Sequence, residues 1–513
     1  MEPLDSPARL TAEPPRSACH VDDRSPRDSP RTERGGPQAR HDAGTRTAAP
    51  REVVVYQSPA RVFAKLGATG PAPAPSVIIR RAVVLGASVA GLLAARVLAE
   101  HAESVLVVDR DELGAGTGHR AGVPQGTQMH VLLPAGRDQI DRWFPGFSGE
   151  AVTEGAVLLP AAARRSYLDG RRKVPGSDVD MIAASRPFLE ELLRRRTLEL
   201  PNVSLLPGRV TGLEFAGGAV TGVRHDSAAG PVVTAADFVV DATGRSSRLG
   251  DWLEQGGWDR PPMRRMAINL HYATATFRRT EEQPVPVAVL AACTAAAGGD
   301  IAGAAFSAIE GGRWIVMLGS YGDDRPGRDA DDLIRRCRED FPPEFARVVD
   351  NELLGPVRTY RQADSRRRDF HRLRRVPAGL VAVGDAVSSF NPIYGQGMSS
   401  AALHASCLSE YLRSGGDLRR PPREFHALQR VVVDAAWGMS TSADLARPSV
   451  PGPRPRGYRI SRWMADEITA ASVTDPVTAR RFDAVVEMRR HPNSLAAPAT
   501  LLRAVRVNRA RER

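Results

Sequence analysis

The stretch Arg81-Ala-Val-Val-Leu-Gly86-Ala-Ser88-Val89-Ala90-Gly91-Leu-Leu-Ala-Ala constrains the fold more than any other part of the chain. An apolar, β-branched run meets a glycine turn, and a segment rich in Ala and Leu leaves it. This pattern predicts a strand, a tight turn and a helix, the opening of a Rossmann unit. Gly86 permits the turn, Ser88 stands where the backbone passes close to a pyrophosphate, and Gly91 lets helix pack on strand. Val89, Ala90 and Gly91 begin the helix, whose free N–H groups and positive dipole end suit a phosphate. Val105-Leu-Val-Val-Asp109 follows as a second buried strand ending in a carboxylate, with Arg110 next to it. A carboxylate there accepts ribose hydroxyls and repels a 2′-phosphate, so FAD or NAD fits better than NADP.

A chain of 513 residues has room for two domains and a sizeable core. Its net charge of +11 raises the question of an anionic partner. The cations are almost all Arg, with only Lys65 and Lys173 as lysines, and they alternate with acids without interleaved aromatics. We therefore expect no nucleic-acid partner. Cys19, Cys293, Cys337 and Cys407 lie far apart with no metal spacing, which predicts free thiols in a reducing compartment. No uncharged apolar run is long enough to span a membrane and no secretory signal is evident. A cytoplasmic location is the expectation.

Residues 1–76 are rich in Pro, Arg, Asp, Ser and Gly, and are expected to form a disordered tail, with at most a short strand at Arg51–Tyr56. His119-Arg120-Ala-Gly-Val-Pro-Gln125 reads as a shaped loop in which Arg120 can reach the pyrophosphate. His130 is expected to open an apolar helix. Ser185-Arg186-Pro187 is a helix start with Ser185 as N-cap and Leu189, Leu192 and Leu193 as the buried stripe. Asp237-Phe-Val-Val-Asp241-Ala-Thr243-Gly244 is another buried strand ending in a glycine turn. Strand-like runs between 262 and 360 predict a mostly antiparallel sheet lying as a lid over the nucleotide unit.

Gly379-Leu-Val-Ala-Val-Gly384-Asp385-Ala-Val-Ser-Ser-Phe-Asn391-Pro392-Ile-Tyr394-Gly395-Gln396-Gly397-Met398 is the second decisive stretch. A buried strand ends in Gly-Asp, crosses a turn-rich loop and enters a helix of small residues at Gly397. Asp385 can accept hydrogen bonds from a polyol chain. Gly395, Gln396, Gly397 and Met398 gather backbone N–H groups and a helix dipole at one spot suited to negative charge. FAD has both a ribityl chain and a ring that becomes anionic on reduction, and NAD has neither. The cofactor expected is therefore FAD.

These motifs together resemble the single-component (class A) flavoprotein monooxygenases. The Gly-Val-Pro-Gln and Asn-Pro-Ile-Tyr-Gly-Gln-Gly-Met forms resemble bacterial polyether epoxidases of the monensin and lasalocid kind. The resemblance covers roughly residues 80–415. It implies an α/β, p-hydroxybenzoate-hydroxylase-like fold: a Rossmann-type FAD-binding domain (77–150, 185–261 and 361–416) interleaved with an antiparallel-sheet substrate domain (151–184 and 262–360), and a C-terminal helical cap (417–513). It also implies a flavin C4a-(hydro)peroxide that delivers one oxygen atom of O2. By matching position, Arg120 and Arg186 would touch FAD phosphate or ribityl, Asp385 the ribityl hydroxyls, and Pro392 with Gly395–Met398 the flavin ring. Many relatives carry Asp-Gly where this chain has Thr243-Gly244, a turn associated with nicotinamide use. NAD(P)H is thus expected as electron source either directly or through a separate flavin reductase.

The function expected is epoxidation or hydroxylation of a hydrophobic, secondary-metabolite-like substrate. A flavin-dependent reductase of prenyl or polyene chains and a non-catalytic FAD-binding protein are the rivals. A halogenase fits less well, because neither lysine nor a Trp-x-Trp signature falls in the motifs.

Overall fold

The computed structural model describes residues 58–113, 118–227, 230–280 and 285–512. Ile79–Leu85, Ala102–Asp109, Val203–Pro207, Phe238–Asp241 and Leu380–Ala382 form a five-stranded parallel sheet. Its spatial order places Ile79–Leu85 at the centre, between Phe238–Asp241 and Ala102–Asp109. A parallel sheet is covered on both faces and so draws on unbroken apolar runs; Ala82, Val83, Val84 and Leu85 are all fully buried. Helices Val89–Ala99 and Gly397–Arg413 cover one face. An antiparallel three-stranded meander (Val210–Ala216, Ala219–Ser227, Gly230–Ala235) and helix Leu249–Gln255 cover the other.

A second sheet has eight strands, built around Met263–Arg278, which pairs antiparallel with Arg313–Ser320 on one side and Arg358–Arg368 on the other. Its pairings are antiparallel except where Ala288–Ala292 runs parallel to Arg164–Leu168. Ser388–Ser389 closes one edge, so the sheet grows directly out of the Gly384–Gly397 segment. Helices Arg423–Asp444, Tyr458–Ala471, Pro476–Val486 and Pro498–Glu512 complete the chain.

Two expectations need correction. The disorder expected for residues 1–76 does not hold towards residue 76: Pro59–Leu66 is a helix capped by Ser58, and its Phe63 and Leu66 are buried. Phe63 meets His491 edge-on at 5.6 Å, and the helix packs into the main core because its apolar residues lie on one side. The strand considered at Arg51–Tyr56 lies outside the described residues. His130 does not open a helix. The helix begins at Pro134, where the fixed φ of proline starts it, and His130 sits in the extended approach with its Nδ1 on Gln128 O at 2.9 Å. The last helix is anchored at several points: Arg503 pairs twice with Asp475 at 2.7 Å, Asn508 donates to Glu467, and Ala504 is buried.

The docked first helix carries a prediction. A chain starting at residue 76 should be less stable than one starting at residue 58 by roughly 3 kcal/mol or more, the burial of a Phe and a Leu side chain. Denaturant midpoints of the two truncations check it, and equal midpoints would show that the helix adds nothing.

Candidate functional site

The sheet register brings the two decisive stretches to one edge. Leu85 aligns with Asp241 and with Val108, so Gly86, Asp109 and Ala242 emerge together at the carboxyl ends of adjacent strands. Val383 N–H donates to Asp241 O at 2.9 Å, adding Gly384 to the same edge. Crevices outside the carboxyl ends of such strands are where open α/β sheets bind ligands.

Gly86 has φ +103°, a conformation few other residues adopt, and Ser88 follows as the residue preceding the helix at Val89. A Cβ on Gly91 would lie 1.8 Å from the Gly86 carbonyl oxygen, so only glycine lets the helix sit this close to the turn. A Cβ on Gly384 would come within 2.6 Å of the Ala90 Cβ, which places the downstream Gly-Asp turn against the first turn of the same helix.

Around that helix start lies a charged cluster. Arg120 donates to Ala87 O at 2.9 Å and pairs with Asp109 at 2.9 Å, Asp111 at 3.2 Å and Glu190 at 3.2 Å. Arg186 bonds Glu190 at 2.7 Å and Ser88 Oγ at 3.0 Å, and Ser88 Oγ donates to Glu190. Asp109 also accepts the Ala87 N–H at 2.6 Å. Burial works to raise the Glu190 carboxyl, but Arg186, Ser88 and Arg120 more than offset it and hold it below its ordinary value. Arg110, by contrast, is exposed and reaches Asp111 only at 4.0 Å; its side chain lies outside the cluster.

Asp385 sits on the short turn Gly384–Ala386. Burial raises its carboxyl, opposed by Arg186, Arg245, a hydrogen bond with Ser389, and Arg368. Thr243 is turned inward: its N–H and Oγ1–H both donate to Asp241 Oδ1, at 2.9 and 2.6 Å. Gly244, φ +75°, begins a further short turn whose Arg245 reaches Ser389 at 3.2 Å and pairs with Asp364. At the far end, Pro392–Tyr394 forms a single turn, Gly395 has φ +66°, and the helix starts at Gly397.

That far end has the form of a cradle. Pro392 and Gly397 are exposed, Ile393, Tyr394 and Gly395 between them are half-buried, and nothing lies within 4 Å of where a Cβ on Gly397 would be. The buried Gln396 Oε1 has no hydrogen-bond partner, and the first N–H groups of any helix lack partners within it. Met398 is buried, so it meets a ligand through its backbone. One end thus offers ribose- and phosphate-binding groups, and the other a bare helix start suited to a ring that gains negative charge. The residues fit FAD.

Sequence reasoning missed Glu190, which neutralises both guanidiniums at once; its spacing of four from Arg186 on a helix was the available signal. It also missed His404, whose Nδ1 accepts the Gly384 N–H at 2.9 Å and braces the Gly-Asp turn from beneath. Burial holds that imidazole neutral, with its pKa at about 3.

Fold and site together define a Rossmann-type flavoprotein with a p-hydroxybenzoate-hydroxylase-like architecture. The chain belongs to the FAD binding domain family, whose model matches residues 80–414. It is 33% identical over 425 residues to Protein Rv3254 of Mycobacterium tuberculosis (strain ATCC 25618 / H37Rv), covering 78% of this chain and 88% of that protein. The flavin-dependent brominase Bmp2 shares the fold with a TM-score of 0.59 at 16% identity, over 84% of this chain and 99% of the brominase. The p-nitrophenol 4-monooxygenase PnpA of Pseudomonas putida DLL-E4 shares it with a TM-score of 0.52 at 16% identity, over 85% and 99% of the respective chains. No helix among the described residues is long and apolar enough to cross a membrane. Cys293, Cys337 and Cys407 are free thiols, and Cys19 lies outside the described residues.

Proposed function

We propose that the chain is an FAD-dependent monooxygenase that inserts one oxygen atom of O2 into a hydrophobic substrate, by epoxidation of an alkene or by hydroxylation. The observation that carries this reading is the wall next to the Pro392–Tyr394 turn. There half-buried Ile393 packs against a buried apolar and aromatic cluster that includes Ile268, Leu270 and Tyr272 of the eight-stranded sheet and Tyr321 beside it, so the chain next to the cradle is backed by apolar core. FAD supplies the redox chemistry when bound. The protein's part is to hold it, to keep water from the reacting face, and to present an apolar substrate to it. Backbone N–H groups of Gln396, Gly397 and Met398 would stabilise the charge on the reduced ring, worth about 3 kcal/mol per well-aimed donor; Gly395, expected to join them, instead gives its N–H to Pro392 O at 3.0 Å and shapes the turn. Polyketide-like chains of the kind that polyether epoxidases accept are the substrate class this reading favours.

The brominase neighbour suggests a halogenating alternative. Both lysines of this chain are engaged away from the cradle, Lys65 with Glu410 and Lys173 with Asp483 at 2.9 Å, which disfavours it. Oxygen-18 gas separates the remaining readings. Label in the product supports the monooxygenase. A saturated, unlabelled product would mean a prenyl- or polyene-chain reductase, and no turnover with a panel of polyenes would favour a binding protein.

The electron source follows from Thr243. With its hydroxyl and amide both given to Asp241, this turn presents no carboxylate where self-reducing relatives carry one. NADH or NADPH alone is expected to reduce the flavin more slowly than about 1 s⁻¹, the low end of ordinary turnover, with a flavin reductase restoring the rate. Anaerobic stopped-flow absorbance checks this, and faster direct reduction would overturn it.

A further inference from the structure

The long helix Arg423–Asp444 ends in a carboxylate that the cofactor-binding groups described above leave unexplained. Asp444 is completely enclosed. Its Oδ1 accepts three hydrogen bonds, from Tyr321 Oη at 3.0 Å, Asn391 Nδ2 at 2.8 Å and Tyr394 Oη at 2.9 Å. Its Oδ2 is buried and has no partner. The neighbouring cation, Arg447, lies over the Tyr321 ring at 4.3 Å and spends its N–H groups on the carbonyls of Ile301 and Cys293. Among the described residues no ion pair includes Asp444. Tyr272, whose buried Oη is also unpartnered, belongs to the same packed group.

Two of the three donors come from the loop that leads into the cofactor helix. Asn391 also accepts the Ile393 N–H at 3.0 Å through its Oδ1, so one side chain both shapes that loop and ties it to Asp444. The third donor, Tyr321, follows directly on the strand Arg313–Ser320 of the eight-stranded sheet. A single carboxylate oxygen therefore locks together the helical layer, the sheet and the loop Asn391–Met398.

We propose that Asp444 is a positioning residue for the flavin: through Asn391 and Tyr394 it sets the loop whose backbone faces the ring, and its ionisation makes the ring harder to reduce. The proposal rests on FAD binding and not on the oxygen chemistry. An ionised Asp444 places a negative charge with no direct ion-pair partner behind the loop that must accommodate the electrons gained on reduction, whereas a protonated one does not. Burial pushes its carboxyl up to about 6, against the hydrogen bonds of Tyr394, Asn391 and Tyr321 and the charge of Arg447. Its charge therefore changes within the range in which enzymes work. Because the folded-state value lies above the unfolded one of about 3.9, the stability it contributes is complete below the unfolded value and is lost as pH rises through about 6.

The test uses the FAD-loaded protein, with Asp444→Asn and Tyr394→Phe beside the wild type. Flavin midpoint potentials are measured at about pH 5 and about pH 8, either side of the Asp444 transition. Asp444→Asn should match the wild type at the lower pH and be more positive at the higher one. Its thermal midpoint should also gain on the wild type between those values. Tyr394→Phe removes a donor that favours the ionised form, so the wild-type transition should move to higher pH. A potential difference of equal size at both pH values would reveal a merely structural effect and overturn the proposal, as would no difference at all. If Asp444→Asn does not fold, Tyr394→Phe decides: an unmoved transition overturns it.

Discussion

Gly91→Ala yields a protein that is markedly destabilised and no longer retains flavin. The added methyl would lie 1.8 Å from the Gly86 carbonyl oxygen, and that neighbour is backbone with no rotamer to swing away. Ordinary overpacking costs about 1–3 kcal/mol, and a main-chain collision this deep should exceed that range. To relieve it the helix must draw back from the turn, which moves the first N–H groups from the place where a pyrophosphate would meet them. The FAD dissociation constant is expected to rise by well over tenfold, about 1.4 kcal/mol. Gly397→Ala is the informative comparison. Nothing stands within 4 Å of its added methyl, so the fold should keep its thermal midpoint while flavin affinity falls, because the methyl occupies space the ring would use. Fluorescence titration of the two apoproteins with FAD, beside their melting curves, distinguishes a lesion of the fold from a lesion of the cradle. Unchanged affinity in Gly397→Ala would mean that the ring does not lie there.

Glu190→Ala has the second largest expected effect. Glu190 is buried and accepts from Ser88, Arg186 and Arg120 together. Removing it strips the enclosed Arg186 of its ion pair, while Arg120 keeps Asp109 and Asp111, and breaking a buried pair this way typically costs about 3–5 kcal/mol. Glu190→Gln keeps the volume and part of the hydrogen bonding, so it should lose less. Urea midpoints of the apoproteins check the order wild type, Gln, Ala. Equal stability of all three would show that Arg120 and Arg186 find other partners.

The parts of the site legible in the sequence are those in which one residue type is required by geometry. Gly86, Gly91 and Gly384 are demanded by turns and by close helix contact, Asp109 ends a buried strand, and Asp385 sits in the turn just after one, so local pattern suffices to find them. The helices and strands of the chain follow their apolar periodicity for the same reason. The parts not legible depend on partners distant in sequence. Glu190 looks like an ordinary helical glutamate until Arg120 is folded onto it, and Asp444 is the unremarked end of a long helix until Tyr321, Asn391 and Tyr394 converge there. The helix Pro59–Leu66 was obscured differently. Its eight residues sit among prolines and glycines whose composition suggests disorder, and only Phe63 and Leu66, finding a pocket on the main core, make it stable.

In the function proposed, two stretches, one around Gly86–Gly91 and one around Gly384–Met398, build one FAD site. The most direct test is to denature the purified protein, separate the released small molecules and count them against protein, for the wild type and for Asp385→Ala. Close to one FAD per wild-type chain is expected and a large loss in the variant, because the second stretch would then lack the carboxylate proposed to accept the polyol hydroxyls. Recovery of NAD alone, or full FAD content in Asp385→Ala, would contradict it.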